Sequence, residues 1–429
     1  MMRTNFIGEL SASMSGKEVT LAGWVHEVRE LGSMTFLLLR DSTGIVQVIG
    51  KKGSADDSVI KKMSLPKESV VVVTGTVQAN KEAKKGFEIA VKKLENVNPL
   101  STGIPFEVTG KVPADLDVRL NNRHIDLRRM QTSAVFKIES TVLGAFRDEF
   151  TKRGFTEIRT PSIVAEATEG GTDLFPVQYF ESKAYLAQSP QLYKQLAIIG
   201  GMDRVFIVTP VFRAEKSNTV YHLTESTQMD IEVGFADHDD VIEMLGTAVV
   251  DIVKAVRKRN ADELDTLGVE LKVPQPKVIT YAEAIDKLAE AGLSAKYGED
   301  LTREGERKLG ELYGDAVIVK EYPTAIRAFY SRPNDKNPEL SNSFDLIYKG
   351  MEISSGAQRI HQPEMLIEAI KKKGMDPKGF EFYVNAFRCG APPHAGWSIG
   401  LERIAMQITA SQNIREAAMF PRDRKRLTP

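Results

Sequence analysis

Apolar and polar residues alternate in five runs over residues 19–98: VTLAGWVHEVRE, MTFLLLRD, IVQVIG, ESVVVVTGTVQAN and GFEIAVKKLENV. A period of two marks strands with one buried face. Ser42, Thr43 and Gly44 supply a turn between the second and third runs, and a short helical stretch near 55–65 separates the third from the fourth. The period then changes. Val135, Ile138, Val142, Phe146 and Phe150 fall at helical spacing within 133–153, and Gly154 stands where a helix C-cap glycine belongs.

Five strands in under 100 residues, with one helix in that place, fit a small OB-fold barrel, a generic antiparallel barrel being the alternative. Residues 99–130 hold three prolines and the polar run DLDVRLNNRHIDLRR and read as a hinge or linker. FTEIRTP reads as a strand ending at Pro161, and 175–235 alternates helix-like and strand-like segments. Residues 240–259 are helical by spacing, and the stretch 240–330 reads as an insertion. FDLIYKGMEISSG from 344, a helix near 364–374 and the stretch 396–429 follow. The expected division is therefore 1–98, 99–130 and 131–429.

Composition narrows the class without deciding it. The 429 residues leave room for two or three domains. A formal net charge of −1 announces no global attraction to nucleic acid, but residues 1–98 carry 14 Lys+Arg against 11 Asp+Glu. The single cysteine, Cys389, rules out an internal disulfide framework and a Cys-rich zinc site. No apolar run reaches membrane-spanning length, and MMRTNFIGEL lacks a signal-peptide core, so no membrane role and a cytoplasmic location are expected.

Three constellations carry chemistry. In VFRAEKSNTVYHLTE, residues 211–225, alternation puts Arg213 and Glu215 on one face. A planar guanidinium suits a phosphate, and a carboxylate accepts from the amino group of a base. In FDLIYKGMEISSGAQR, residues 344–359, Glu352 and Ser355 are hard oxygen donors at a strand end, suited to Mg²⁺ bound with phosphates. In GWSIGLERIAM, residues 396–406, small residues precede Arg403 in the first turn of an apolar helix. Each alone is as well explained by a solvated ion pair, a surface carboxylate or a capping turn.

In this order, with GFTEIRTP before them, the three resemble the signature motifs of class II aminoacyl-tRNA synthetases. With the N-terminal barrel the resemblance points to the aspartyl, asparaginyl and lysyl subgroup, and the terminal PRDRKRLTP is similar to archaeal-type aspartyl enzymes. It implies an α+β chain, with an OB-fold anticodon-binding barrel ahead of an antiparallel catalytic sheet flanked by helices. It implies a homodimer through 133–161. ATP would be bound by Arg213, Ala214, Glu215, Tyr221, His222, Leu223, Glu352, Gly400, Leu401, Glu402 and Arg403. Arg213 would hold the α-phosphate, and Mg²⁺ would sit on Glu352 and Ser355. Ser226 stands where family members often carry an adenine-stacking aromatic residue.

The resemblance also implies the amino acid. Lys194, in AQSPQLYKQ, occurs in aspartyl enzymes and is usually missing from asparaginyl ones. Glu169 and Asp230 would take the substrate ammonium, and Lys194 and Arg359 its side-chain carboxylate, with Gln191, Arg213 and Ser355 also touching aspartate. Relatives often have Glu after that arginine, where this chain has Ile360. Two fixed cations favour a carboxylate over an amide. At the anticodon, Phe36 would stack the middle base beside Gln47 and Glu88, although a lone strand Phe is more often core. His26 matches archaeal enzymes that charge both tRNA(Asp) and tRNA(Asn), whereas Lys84 and Lys85 match the stricter type. The rival readings are an asparaginyl enzyme, a non-catalytic RNA-binding paralogue and an amidating enzyme without tRNA.

Overall fold

The computed structural model describes residues 2–165, 174–216 and 218–429. The chain divides into two compact units, Met1–Arg129 and Met130–Pro429.

The first unit contains β1 (Glu18–Leu31), β2 (Met34–Asp41), β3 (Gly44–Lys51), α1 (Asp57–Met63), β4 (Val70–Ala79) and β5 (Phe87–Asn98). They close into a barrel in the order β1-β2-β3-β5-β4. Alternation explains the closure: Val19, Leu21, Val25, Leu37, Leu39, Val71, Val73 and Val77 all point inward and are buried. The strands touch where they cross. A Cβ on Gly23 would stand 2.2 Å from the Arg40 carbonyl oxygen, and one on Gly75 2.4 Å from that of Ala90. Residues 99–129 group with the barrel and include α2 (Leu116–Asn121) and α3 (Arg123–Asp126). The polar run expected as linker is thus ordered around buried charge, with Arg123 donating to Asp126 at 2.6 Å.

The second unit opens with α4 (Met130–Lys152), β6 (Thr156–Glu157), β7 (Ile163–Val164), β8 (Pro176–Tyr179), β9 (Ser182–Leu186), α5 (Gln191–Ile199), β10 (Arg204–Phe212) and β11 (Glu225–Gly234). It continues through α6 (His238–Arg259), α7 (Ala261–Leu267), β12 (Lys277–Thr280), α8 (Tyr281–Glu290), α9 (Arg303–Tyr313), β13 (Ala316–Lys320) and β14 (Ser343–Tyr348). It ends with β15 (Met351–Gln358), α10 (Pro363–Lys372), α11 (Glu381–Arg388), β16 (His394–Gly400) and α12 (Leu401–Ile408).

Eight of these strands form one sheet, β12-β13-β14-β15-β16-β11-β10-β6, antiparallel throughout its centre. FTEIRTP supplies only the two-residue β6, because Pro161 follows and Pro donates no ladder bond. The 240–330 segment is built into the unit: α6 packs on the main core, and β12 and β13 extend the sheet at one edge. Met229, Ile231, Val233, Ala395, Trp397 and Ile399 point toward α4 and α6, where Phe146 and Phe150 pack on Trp397. The alternate residues of β11, β15 and β16 therefore face the opposite side, and that side is polar.

Candidate functional site

A pocket of about 490 Å³ lies on the polar side of the sheet. Its floor follows from strand register. Asp345 on β14 pairs with Ser355 on β15, Ser355 with Ser398 on β16, and Ser398 with Asp230 on β11. Directly opposed residues project to the same face, so these four form one row across four strands. Glu232, two residues beyond Asp230, projects to that face as well.

One end of the row holds buried charge. Lys194, on α5 and 1% exposed, donates to Asp230 at 2.9 Å and to the Ile231 carbonyl at 3.3 Å, and lies 3.3 Å from Glu232. Arg359 donates to the two oxygens of Glu232 at 2.9 and 3.2 Å, and its guanidinium lies 5.4 Å from the centre of the Tyr330 ring. Burial would raise the Glu232 carboxyl, but Arg359 and Lys194 outweigh burial and hold it below its ordinary value. Gly396 makes room for that carboxylate: a Cβ there would meet Glu232 Oε2 at 2.3 Å. Ser398 donates to Asp230 at 2.6 Å. Gln191 donates to Gln195 at 2.9 Å, and Gln195 also accepts from Tyr383 at 2.8 Å and lies 2.8 Å from His394 Nε2. Because His394 Nδ1 donates to the Pro392 carbonyl, its Nε2 accepts from Gln195.

The other end also holds cations. Arg213, Glu215, Tyr221, His222 and Leu223 line it from the loop after β10, facing Glu352, Gly400, Glu402 and Arg403. Ala214 and Leu401, the remaining expected positions, do not line the pocket. His222 lies 3.6 Å from Glu215. Arg403 donates to the Glu352 carbonyl at 2.9 Å and lies 3.7 Å from its carboxylate. Burial, with Asp345 and Glu306 as like charges, pushes the Glu352 carboxyl up to about 7 against the pull of Arg403 and Arg327. Burial likewise pushes Glu402 up to about 7, although both its oxygens accept from the Thr227 amide, at 2.9 and 3.0 Å. Ser226 lines the pocket near these groups.

Glu169 lies outside the described residues. Ser355 is engaged by a cation that the sequence reading missed: Arg327 donates to its Oγ at 2.7 Å and to both oxygens of Asp345 at 2.8 and 2.6 Å. Glu232 and Asp345 were missed too, and both had a signal. Each is an acid in an apolar strand, MDIEV and FDLIY, where only a paired charge is tolerated.

On the barrel, Phe36 lies outside the core and is half-buried on the outer face, because Thr35 and Leu37 take the inward positions. Gln47 donates to Glu88 at 2.7 Å. His26 occupies a bulge between Val25 and Glu27, where Arg40 Nη1 donates to its Nδ1 at 2.9 Å. Burial and Arg40 together lower its pKa, so the neutral ring presents Nε2–H. Glu68 holds Arg40 from the other side, at 2.8 and 2.7 Å. Lys84 and Lys85 are exposed in the loop before Gly86.

The closed five-stranded barrel, and the antiparallel sheet with a polar pocket lined by arginines, a histidine and acids, each match a known domain family. Residues 19–97 match the OB-fold nucleic acid binding domain, and residues 115–424 match the class II tRNA synthetases (D, K and N). The chain belongs to that synthetase family. It is 46% identical over 430 residues to the aspartate–tRNA(Asp/Asn) ligase of Methanocaldococcus jannaschii, covering all of this chain and 98% of the relative. It is also 46% identical over 439 residues to the aspartate–tRNA(Asp) ligase of Thermococcus kodakarensis, covering both chains fully. Its fold is similar to the crystal structure of asparaginyl-tRNA synthetase from Pyrococcus horikoshii complexed with asparaginyl-adenylate, with a TM-score of 0.95 and 35% identity over the whole of both chains.

Proposed function

We propose that this chain is an aspartate–tRNA ligase, which joins aspartate to AMP and then passes it to the 3′ end of tRNA(Asp). The observation that carries the choice of amino acid is the pairing of two buried cations, Lys194 and Arg359, beside Asp230 in one pocket. Both cations are already paired, Lys194 with Asp230 and Glu232 and Arg359 with Glu232, so the preference for a carboxylate over an amide rests on charge-assisted hydrogen bonds from their remaining N–H groups. Asparagine as substrate is disfavoured on the same ground.

The residues act by position and charge. Arg213 holds the α-phosphate where negative charge grows as the aspartate carboxylate attacks and pyrophosphate leaves. Glu215 accepts from the adenine amino group, and His222 and Arg403 hold the outer phosphates. Asp230 takes the ammonium, with Glu169 as its partner, while Lys194 and Arg359 take the side-chain carboxylate. No covalent intermediate with the protein is needed.

Glu352 and Ser355 offer hard oxygens that would hold Mg²⁺ together with ATP, while Arg327 occupies Ser355 Oγ and both oxygens of Asp345. Bound there with ATP, the ion would neutralise phosphate charge.

The anticodon is read on the barrel by Phe36, Gln47, Glu88 and His26, and tRNA(Asn) is a second substrate. The chain works as a homodimer through 133–161. The apolar groove lined by Pro161, Ile163, Val164 and Tyr179, with Ile163 and Tyr179 about half exposed, supports a covered surface next to that segment. The compartment this activity calls for is the cytoplasm. Side-by-side charging of purified tRNA(Asp) and tRNA(Asn), with aspartate and then asparagine, tests the reading. Charging with asparagine in preference to aspartate overturns it.

A further inference from the structure

Helix α9 reaches the nucleotide end of the pocket from the 240–330 segment, and its first turn touches two groups that the chemistry above leaves unsupported. The Arg303 guanidinium lies 4.6 Å from the centre of the Tyr221 ring, a distance at which a cation is attracted to the ring face. The same guanidinium pairs through Nη1 with Glu306, one turn further on. Glu306 is buried and accepts the backbone N–H of Glu352 at 2.8 Å. Arg403 holds the carbonyl of that residue. Tyr221, Arg303, Glu306, Glu352 and Arg403 thus form one continuous series of contacts joining the loop after β10, α9, β15 and α12.

The helix is seated firmly enough to act as a support. Thr302 caps its N-terminus, accepting from the Gly305 amide at 3.1 Å. Its far half presses on the turn before β15. A Cβ on Gly310 would stand 3.1 Å from the Gly350 nitrogen, and one on Gly350, where φ is +74°, would stand 2.9 Å from the Arg307 Cα. The strand it braces needs support at that point. Leu346 pairs with Ser354 and Ile347 with Glu352, which leaves Ile353 as the extra residue of a bulge. A bulge re-aims the side chains around it and interrupts the ladder that would otherwise hold them.

We propose that Glu306 and Arg303 are positioning residues for adenylate formation: through them α9 fixes the Glu352 backbone and the Tyr221 loop around the nucleotide. This rests on the ATP reading of the pocket. Neither residue touches the reacting atoms. Their effect comes from geometry, since misplacing a reacting group by about 1 Å costs on the order of 100-fold in rate. Without Glu306, the Glu352 N–H loses its acceptor and Arg303 its anion.

The test uses the full chain with three variants, Glu306→Ala, Glu306→Gln and Arg303→Met. Aspartate-dependent ATP–pyrophosphate exchange is measured together with calorimetric binding of a non-hydrolysable ATP analogue and thermal unfolding. Glu306→Ala is expected to lower kcat/KM for ATP by about 10- to 100-fold and to weaken the analogue, with the aspartate KM within about twofold of wild type. Glu306→Gln keeps an oxygen for the Glu352 N–H and is expected to recover most of that loss. Arg303→Met is expected to show a smaller loss of the same sense. The role is overturned if Glu306→Ala leaves both ATP measures within about twofold of wild type. It is also overturned if ATP and aspartate suffer equally and Glu306→Gln is no better than Glu306→Ala, which is the signature of general unfolding. Should Glu306→Ala fail to fold, unchanged analogue binding in Arg303→Met overturns it. A wild-type protein without aspartate-dependent exchange overturns only the choice of substrate, because analogue affinity still decides the role of Glu306.

Discussion

Glu232 receives Arg359 on both of its oxygens, at 2.9 and 3.2 Å, at the wall of the pocket, where Glu232 is wholly and Arg359 almost wholly buried. The same carboxylate lies 3.3 Å from the Lys194 ammonium, so one acid sets the spacing of both cations proposed to select aspartate.

Glu232→Gln is therefore expected to raise the aspartate KM by roughly thirtyfold, the equivalent of about 2 kcal/mol, and to leave the ATP KM unchanged. It also breaks a buried ion pair, at a cost on the order of 3 kcal/mol in unfolding free energy. Glu232 is held below its ordinary value of 4.5, so its stabilisation is complete above that pH and fades as pH falls through the lower folded value. Urea unfolding at pH 7 and pH 3.5 should show the gap between wild type and variant narrowing in acid. A gap that widens contradicts the assignment.

Lys194→Leu removes the ammonium itself and leaves Asp230 and Glu232 facing an apolar side chain. The aspartate KM should rise steeply while ATP binding stays nearly intact. Loss of ATP affinity without loss of aspartate affinity moves Lys194 to the nucleotide site and takes away the main ground for aspartate.

Arg213→Ala should lower ATP–pyrophosphate exchange by about 100-fold or more, because a donor aimed at developing charge is typically worth that much. Exchange within a few-fold of wild type sinks the α-phosphate role.

Glu402 offers a cleaner pH signal. Its carboxyl is pushed from 4.5 up to about 7, so the folded chain binds that proton more tightly than the unfolded one. The stability this contributes is fully present below pH 4.5 and lost as pH rises through 7. Glu402→Gln removes the titration and is expected to be more stable than wild type at pH 8, by up to about 3 kcal/mol. Denaturant midpoints at pH 5.5 and 8 measure this, and a variant less stable at pH 8 refutes it.

His26→Trp probes the choice of tRNA. The anticodons differ only in one pyrimidine, and a small neutral ring with one N–H tolerates either. The indole would fill the space and could not accept from Arg40, which Glu68 would still hold. The substitution is expected to reduce charging of tRNA(Asn) more than that of tRNA(Asp), by about 5- to 150-fold, the range of one hydrogen-bond or steric difference. A wild type that already rejects tRNA(Asn) by more than about a thousandfold exceeds what one contact explains.

Much of this was legible in the sequence, for physical reasons. The barrel strands appear at their observed places because inward Val and Leu alternate with outward polar residues, and each inward position is filled by the core. That Arg213, Glu215, His222, Glu352 and Arg403 line one pocket was legible because short stretches carry several of these groups at once. Partnerships across the sheet were not legible. Glu232 and Arg359 are 127 residues apart, and only the register through Gly396 brings them together. Arg327 and Glu306 were hidden in a segment whose period marks helices and strands but not its closeness to Ser355 and Glu352. The polar run at 115–129 looked like a linker because its charges satisfy one another locally, as Arg119, Arg123 and Asp126 do.

Closure of the first unit leaves none of its five strands with an open edge, yet the seam is uneven. The parallel pairing of β3 with β5 rests on two register pairs, Val48 with Ile89 and Ile49 with Ala90, whereas β4 meets β5 along nearly their whole length. An edge strand invites intermolecular pairing, and a closed barrel withholds that invitation only while its weakest junction stays shut. Deuterium uptake should accordingly start along β3, and self-association at high concentration would begin from that brief unzipping and not from loss of the whole barrel.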